Sequence, residues 1–230
     1  GTVIVSGGVI AELAIGRVIR PPRGRTYEFA DGLILPGMID LHIHGGNGYA
    51  VYGSSADLAM VGKHLAANGV TGFLASLPAM AWPQLTAASH TVAEVCASGE
   101  VPNLLGLHLE GPHLSPARAG SQDRAHLRPV SLSDYLALRA AAGLSLKMIT
   151  IAPELPGAAE VIEACRRDGV VAAMGHSDAL YAQACAGFAA GITHVTHLFN
   201  AMRPFHHREP GALGAALTSS CVTAELILDG

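Results

Sequence analysis

The chain reads as an α/β protein, a (β/α) TIM-type barrel that lacks its eighth strand and is preceded by a small β-element. Three features predict this. Near-continuous apolar runs of strand length recur along the sequence, Ala-rich stretches of helical length separate most of them, and His and Glu residues gather at the C-terminal ends of the runs.

Residues 1–35 hold TVIVSGGVIAEL, GRVIR and TYEFADGLIL, punctuated by Gly and Pro and without a helical period. They predict short strands, a partial β-sandwich element. The rhythm changes at Pro36, and residues 36–230 form the expected barrel. Its strand candidates are MIDLHIHG, VTGFLASL, LLGLHLEG, KMITIAPE, VVAAMGHS, ITHVTHLFN and AELILDG. Between them SADLAMVGKHLAANG, PQLTAASHTVAEVCASG, SLSDYLALRAAAG, GAAEVIEACRRDG and DALYAQACAGFAAG predict helices, several stopped by Gly. Strands without polar alternation imply a parallel sheet covered on both faces. Seven units in series favour a curled barrel over an open sheet, and eight would close it.

Composition narrows the function classes. Half of the 230 residues are hydrophobic and 14% are charged, which suits a large buried core. No apolar run reaches the roughly 18 residues that span a bilayer, and no basic-then-apolar leader opens the chain, so neither a membrane role nor secretion is expected. A net charge of −4 offers no case for nucleic acid. Four widely spaced cysteines form no C-x-x-C pair and suit buried thiols in a reducing cytoplasm.

Twelve histidines are many for this length, and their positions carry the chemistry. In His42-Ile43-His44 the two imidazoles share one face of a strand, because side chains alternate with period two. Glu110, His176 and His197 fall at three further strand ends, so all five face one barrel mouth. Imidazoles with a carboxylate are a ligand set for Zn²⁺, with Fe²⁺ the alternative. Each residue alone has a plainer reading: H-x-H as two unrelated polar residues, Glu110 as a solvated or capping carboxylate, His176 as the approach to a helix, His197 as a core histidine. Four independent plain readings would not converge on one rim, and a metal site follows. His64 and His90 read as surface residues, His108 as support or packing, and His194 as a core residue on the face opposite His197. Asp40 shares the face of His42 one step deeper.

PGMIDLHIHGG, LGLHLEGPHLSPARAG, MGHSDA and THLFNAMRPFHHREPG resemble, in order and spacing from Pro36 to Gly230, the signature stretches of the N-acetylglucosamine-6-phosphate deacetylase family of the amidohydrolase superfamily. The resemblance implies metal-dependent removal of acetate from an amino-sugar phosphate. Glu110, His176 and His197 match the principal metal ligands; His42 and His44 match the pair that holds a second ion in some members, with Glu110 as bridge. Arg208 matches the phosphate-binding arginine, and Asn200 and the Ala201 backbone match further substrate contacts. The family is commonly a homodimer with the phosphate near the subunit boundary, where His206 and His207 are candidates.

Two departures stand beside these matches. The family's Gly-x-His after EGP reads Gly120-Ser121-Gln122 here, so Gln122 takes the place of a substrate-contacting histidine unless His113 or His126 does. The superfamily's catalytic aspartate ends the eighth strand, and no residue of this sequence matches it; Asp229 matches the Asp-Gly of the seventh. A truncated or fragmentary chain, poorly active alone, is the resulting expectation. Dihydroorotase-like and hydantoinase-like relatives carry a carboxylated lysine after the fourth strand, but Ala152-Pro153-Glu154 stands there. The remaining alternatives are another N-acetyl amino-sugar phosphate, such as the galactosamine epimer, and an inactive metal-binding remnant.

Overall fold

A computed structural model describes residues 1–20 and 23–228. It contains two compact units, Gly1–Pro36 and Gly37–Gly230. In the first, β1 (Thr2–Ser6) and β2 (Val9–Ala14) pair as an antiparallel hairpin. GRVIR and TYEFADGLIL form no strand among the described residues. Their apolar side chains at Tyr27, Phe29 and Leu33 stay exposed. Strand propensity without a ladder partner leaves a segment extended but unpaired.

The second unit carries all seven expected strands in one parallel sheet. They are β3 (Met38–Ile43), β6 (Val70–Leu77), β7 (Leu104–Glu110), β8 (Leu146–Ile151), β9 (Val171–Met174), β10 (His194–Val195) and β11 (Thr223–Ala224). A two-residue ribbon, β4 (Gly45–Gly46) with β5 (Tyr49–Ala50), follows β3. The sheet order is β11-β10-β9-β8-β7-β6-β3, so β3 and β11 are its edges. Helices α1 (Ser55–Ala67), α2 (Trp82–Ser98), α3 (Leu132–Ala142), α4 (Ala158–Arg167) and α5 (Tyr181–Ala190) occupy the five expected stretches. A sixth, α6 (Gly211–Thr218), falls in a Gly- and Ala-rich stretch that has no helical signature of its own.

Local chemistry explains the helix ends. Ser54 caps α1 by accepting from the Asp57 N–H while Asp57 accepts from the Ser54 N–H, a reciprocal box. Ser131 caps α3, and Gly99 ends α2 in the left-handed conformation that a Cβ would disfavour. On the helix side of the sheet, Leu58, Val61, Leu85, Val92, Leu138 and Ile162 pack against Phe73, Leu107 and Ile149.

The inner side is layered, which follows from period two along each strand. Leu74, Met148 and Ala173 form an apolar floor. Above it lies a fully buried polar layer: His108 Nδ1 meets Ser76 Oγ at 2.8 Å, His108 Nε2 meets Thr150 Oγ1 at 2.8 Å, and Thr150 meets Thr196 at 2.8 Å. Burial, helped by the neighbouring charge of His42, pushes His108 down to about 3, so its ring is neutral and works as a strut. One more step along β7 reaches Glu110.

Candidate metal centre

Glu110 stands at the top of the inner layer, and four imidazoles point at it. Oε1 lies 3.0 Å from His176 Nε2, 3.0 Å from His197 Nε2 and 3.3 Å from His42 Nε2; Oε2 lies 3.1 Å from His44 Nε2. Within each pair the Nε2 atoms are 3.2 Å apart (His42 and His44) and 3.1 Å apart (His176 and His197). Two nitrogens bound to one tetrahedral ion at ~2.0–2.1 Å are separated by about 3.3–3.4 Å. The donor spacing is close to that value within each pair, and His42, His197 and Glu110 lie close enough together to hold one ion.

The hydrogen bonds on the far side of the rings strengthen the fit. His44 Nδ1 lies 2.9 Å from the Ser76 carbonyl, His176 Nδ1 lies 3.0 Å from the Arg118 carbonyl, and His42 Nδ1 lies 3.0 Å from Glu225 Oε2. Carbonyls and carboxylates only accept, so each ring places its proton on Nδ1. A ring that carries only that proton turns a bare Nε2 lone pair towards Glu110, itself an acceptor. Such a contact is satisfied by a proton on the nitrogen or by a metal ion between the two acceptors. His197 Nδ1 is buried without a hydrogen-bond partner among the described residues.

Titration tells the same story in protons. Burial disfavours charge on His42, yet its bonds to Glu110 and Glu225 outweigh this and raise it to about 9. Burial also opposes ionisation of Glu110, but the bonds from His176, His197, His42 and His44 hold it far below the usual carboxylate range. The cluster demands positive charge.

Backbone conformation aims the ligands. β9 ends at Met174 and β10 at Val195, and the chain then bends through left-handed residues at His176 (φ 47°), His197 (φ 28°), Phe199 (φ 80°) and Ala201 (φ 50°). Non-glycine residues in this region store strain and cluster where geometry matters. Gly120 packs beside His176, where a Cβ would come within 3.3 Å of the ring at a φ of +57°. Glu154 braces the same turn by accepting from Ser177 Oγ at 2.7 Å and from the Asp178 N–H at 2.6 Å.

The cluster opens into a cleft of 980 Å³ that His42, His44, Glu110, Ser121, Asn200 and Ala201 help to line. Arg208 is exposed and does not line it, and His206 and His207 stack on each other in the same exposed loop, centroids 4.4 Å apart. Gln122 is buried behind Glu110. Its amide N–H donates to Glu110 Oε2 at 2.5 Å, and its carbonyl accepts from the Ala79 N–H at 2.8 Å. His113 is buried against the Arg128 carbonyl, and His126 lies beside Asp123; neither lines the cleft. Asp40 accepts from the His42 N–H at 2.9 Å. Asp229 lies outside the described residues. Sequence reasoning missed Glu225, whose carboxylate joins His194 to His42.

Comparison with known proteins agrees with this geometry. The chain is 38% identical over 235 residues to the N-acetylglucosamine-6-phosphate deacetylase of Bacillus subtilis (strain 168), an alignment that covers 100% of this chain and 59% of that protein. It is 34% identical over 228 residues to the N-acetylgalactosamine-6-phosphate deacetylase of Escherichia coli O157:H7, covering 98% and 59%. The crystal structure of N-acetyl-D-glucosamine-6-phosphate deacetylase from Mycobacterium smegmatis matches with a TM-score of 0.81 at 38% identity, over 85% of this chain and 51% of that one. A mutant of the same enzyme, equally similar, is a complex with N-acetyl-D-glucosamine-6-phosphate. The chain thus spans between half and three-fifths of the length of these relatives. Residues 33–228 match the Amidohydrolase family, and with a curled parallel sheet carrying its histidines at strand ends, the chain belongs to that family.

Proposed function

We propose that the chain carries the metal-binding half of an enzyme that hydrolyses the acetamide of N-acetylglucosamine-6-phosphate, giving glucosamine-6-phosphate and acetate. The observation that carries this reading is the convergence of four imidazole Nε2 atoms on the two oxygens of Glu110, at the mouth of an open cleft. His176, His197 and Glu110 would hold one divalent ion, and His42 and His44 a second that shares Glu110, with Zn²⁺ favoured over Fe²⁺ by the nitrogen-rich set. Such an ion polarises an amide carbonyl and makes water a nucleophile near neutral pH.

The remaining roles belong to the protein. Asn200 and the Ala201 backbone, which line the cleft beside the cluster, would orient the sugar. Arg208 offers a guanidinium for the phosphate from the neighbouring loop, which would have to fold over the cleft. Gln122 fixes Glu110 rather than touching substrate. The carboxylates that line the cleft are already engaged: Glu110 and Glu225 by histidines, Asp40 by the His42 N–H. The reading therefore assigns no general base within this chain. A homodimer and a cytoplasmic location complete it; the four free cysteines fit a reducing compartment. No described helix is long and apolar enough to cross a membrane.

The test is amine release from N-acetylglucosamine-6-phosphate and from its galactosamine epimer, with Zn²⁺ supplied, by the chain joined to the part of its relatives' length that it does not span. The account expects the glucosamine substrate to be preferred and His176→Ala to remove all turnover. Preference for the epimer would move the assignment to the activity that the E. coli relative's name describes. Turnover that survives His176→Ala would contradict the site.

A further inference from the structure

The carboxylate of Glu225 has no part in the reading above, and its position is unusual. β11 stops at Ala224, so Glu225 is the first residue past the strand, with its side chain largely buried. Its backbone is fixed on both sides: the Glu225 N–H donates to the Val195 carbonyl at 2.9 Å, and its own carbonyl accepts from the Leu198 N–H at 2.8 Å. Oε1 accepts from His194 Nε2 at 2.9 Å, and His194 Nδ1 meets Thr223 Oγ1 at 2.7 Å. Oε2 accepts from His42 Nδ1 at 3.0 Å and from the His197 N–H at 3.3 Å.

One carboxylate therefore braces a histidine of each pair. We infer that Glu225 is the positioning residue of the metal centre: through the chain Thr223–His194–Glu225–His42 it fixes the His42 ring with its proton on Nδ1 and its Nε2 lone pair towards Glu110. This rests on the metal reading given under Proposed function. The physical ground is general. A carboxylate that accepts the outer N–H of a ligand imidazole selects its tautomer, holds its plane and increases the basicity of the other nitrogen. His194 lines the same cleft as His197 rather than facing away from it, and its Nε2–H holds the second carboxylate oxygen, which keeps Glu225 turned towards His42.

The test is zinc affinity by competition with a chromophoric chelator, in wild type, Glu225→Gln, His42→Ala and the double variant. Removing such a partner weakens metal binding by roughly 10–100-fold. Glu225→Gln, of the same shape, is expected to fall in that range for the ion on the His42 side, with an unchanged far-ultraviolet spectrum. In the His42→Ala background it should produce no comparable further loss, because its route to the ion is gone. His194→Phe, which removes the outer donor and leaves Glu225 in place, provides a second variant should Glu225→Gln fail to fold, and is expected to weaken the same ion less. Wild-type affinity in a folded Glu225→Gln chain, or the full loss persisting without His42, would overturn the inference while leaving the metal reading intact. A wild-type chain that takes up no zinc would overturn both.

Discussion

Replacing Glu110 by Ala is expected to abolish retention of a divalent ion and to cost the metal-free fold about 3–5 kcal/mol, the range for breaking a buried charged pair. Glu110 is 2% exposed and is the common partner of His42, His44, His176, His197 and Gln122. Removing it leaves the Gln122 amide without its acceptor and four ring nitrogens converging on a void. The other carboxylates among the described residues that line the cleft are held elsewhere, Glu225 on His194 and His42 and Asp40 on the His42 N–H. Ion content after exhaustive dialysis and urea unfolding of the chelator-treated chain are the measurements. A Glu110→Ala variant that keeps its ion, or unfolds at the wild-type midpoint, would show that the cluster is not organised around this residue.

Removing the ion from the wild-type chain has the second largest expected effect, and its pH dependence carries a sign. In the metal-free protein His42 titrates at about 9 rather than 6.5. Its contribution is fully present below about 6.5 and is lost as pH rises through about 9; the shift corresponds to about 3 kcal/mol. Glu110 and Glu225, both held below the ordinary carboxylate range, contribute above about 4.5 and lose that contribution in acid. His108, pushed down to about 3, acts in the same direction, because keeping its buried ring neutral costs stability as pH falls below 6.5. Between 6.5 and 9 the His42 effect stands nearly alone, so the metal-free chain should weaken as pH rises. An ion takes the place of the His42 proton, and its apparent affinity should rise with pH in the same window by up to about tenfold per unit. Saturation at about 1,000 times Kd adds ~4 kcal/mol, roughly 8–16 °C in Tm for a chain of this size. Thermal melts with zinc and with chelator should diverge as pH rises from 6.5; curves that run parallel would contradict the linkage.

Much of this centre was legible because strand periodicity is a strict rule. His42 and His44 had to share a face, and the apolar runs that became β6 to β10 are strands buried on both sides, whereas the edge strand β3 leaves Met38, Ile39 and Leu41 exposed. What escaped did so for local reasons. The run AELILDG reads as a strand throughout, but among the described residues pairing stops at Ala224, which puts Glu225 at the strand end. The run ITHVTHLFN likewise pairs only at His194–Val195, and His197 reaches the cluster through a left-handed bend rather than from a strand face. GALGAALT became α6 because its own buried residues pack against α5; Gly at two of eight positions gave it little helical signal. The place of Gln122 was readable from the sequence, but its orientation depends on Ala79, 43 residues away, whose N–H holds the amide carbonyl.

The central claim is a nitrogen- and oxygen-ligated metal centre built on Glu110 and the four histidines. The most direct measurement is X-ray absorption at the zinc edge of the loaded 230-residue chain. The account predicts a first shell of nitrogen and oxygen alone at ~2.0–2.1 Å, with outer-shell imidazole scattering from two histidines per ion. A sulfur shell at about 2.3 Å would place the ion on cysteines instead, and a spectrum without imidazole features would contradict the site outright.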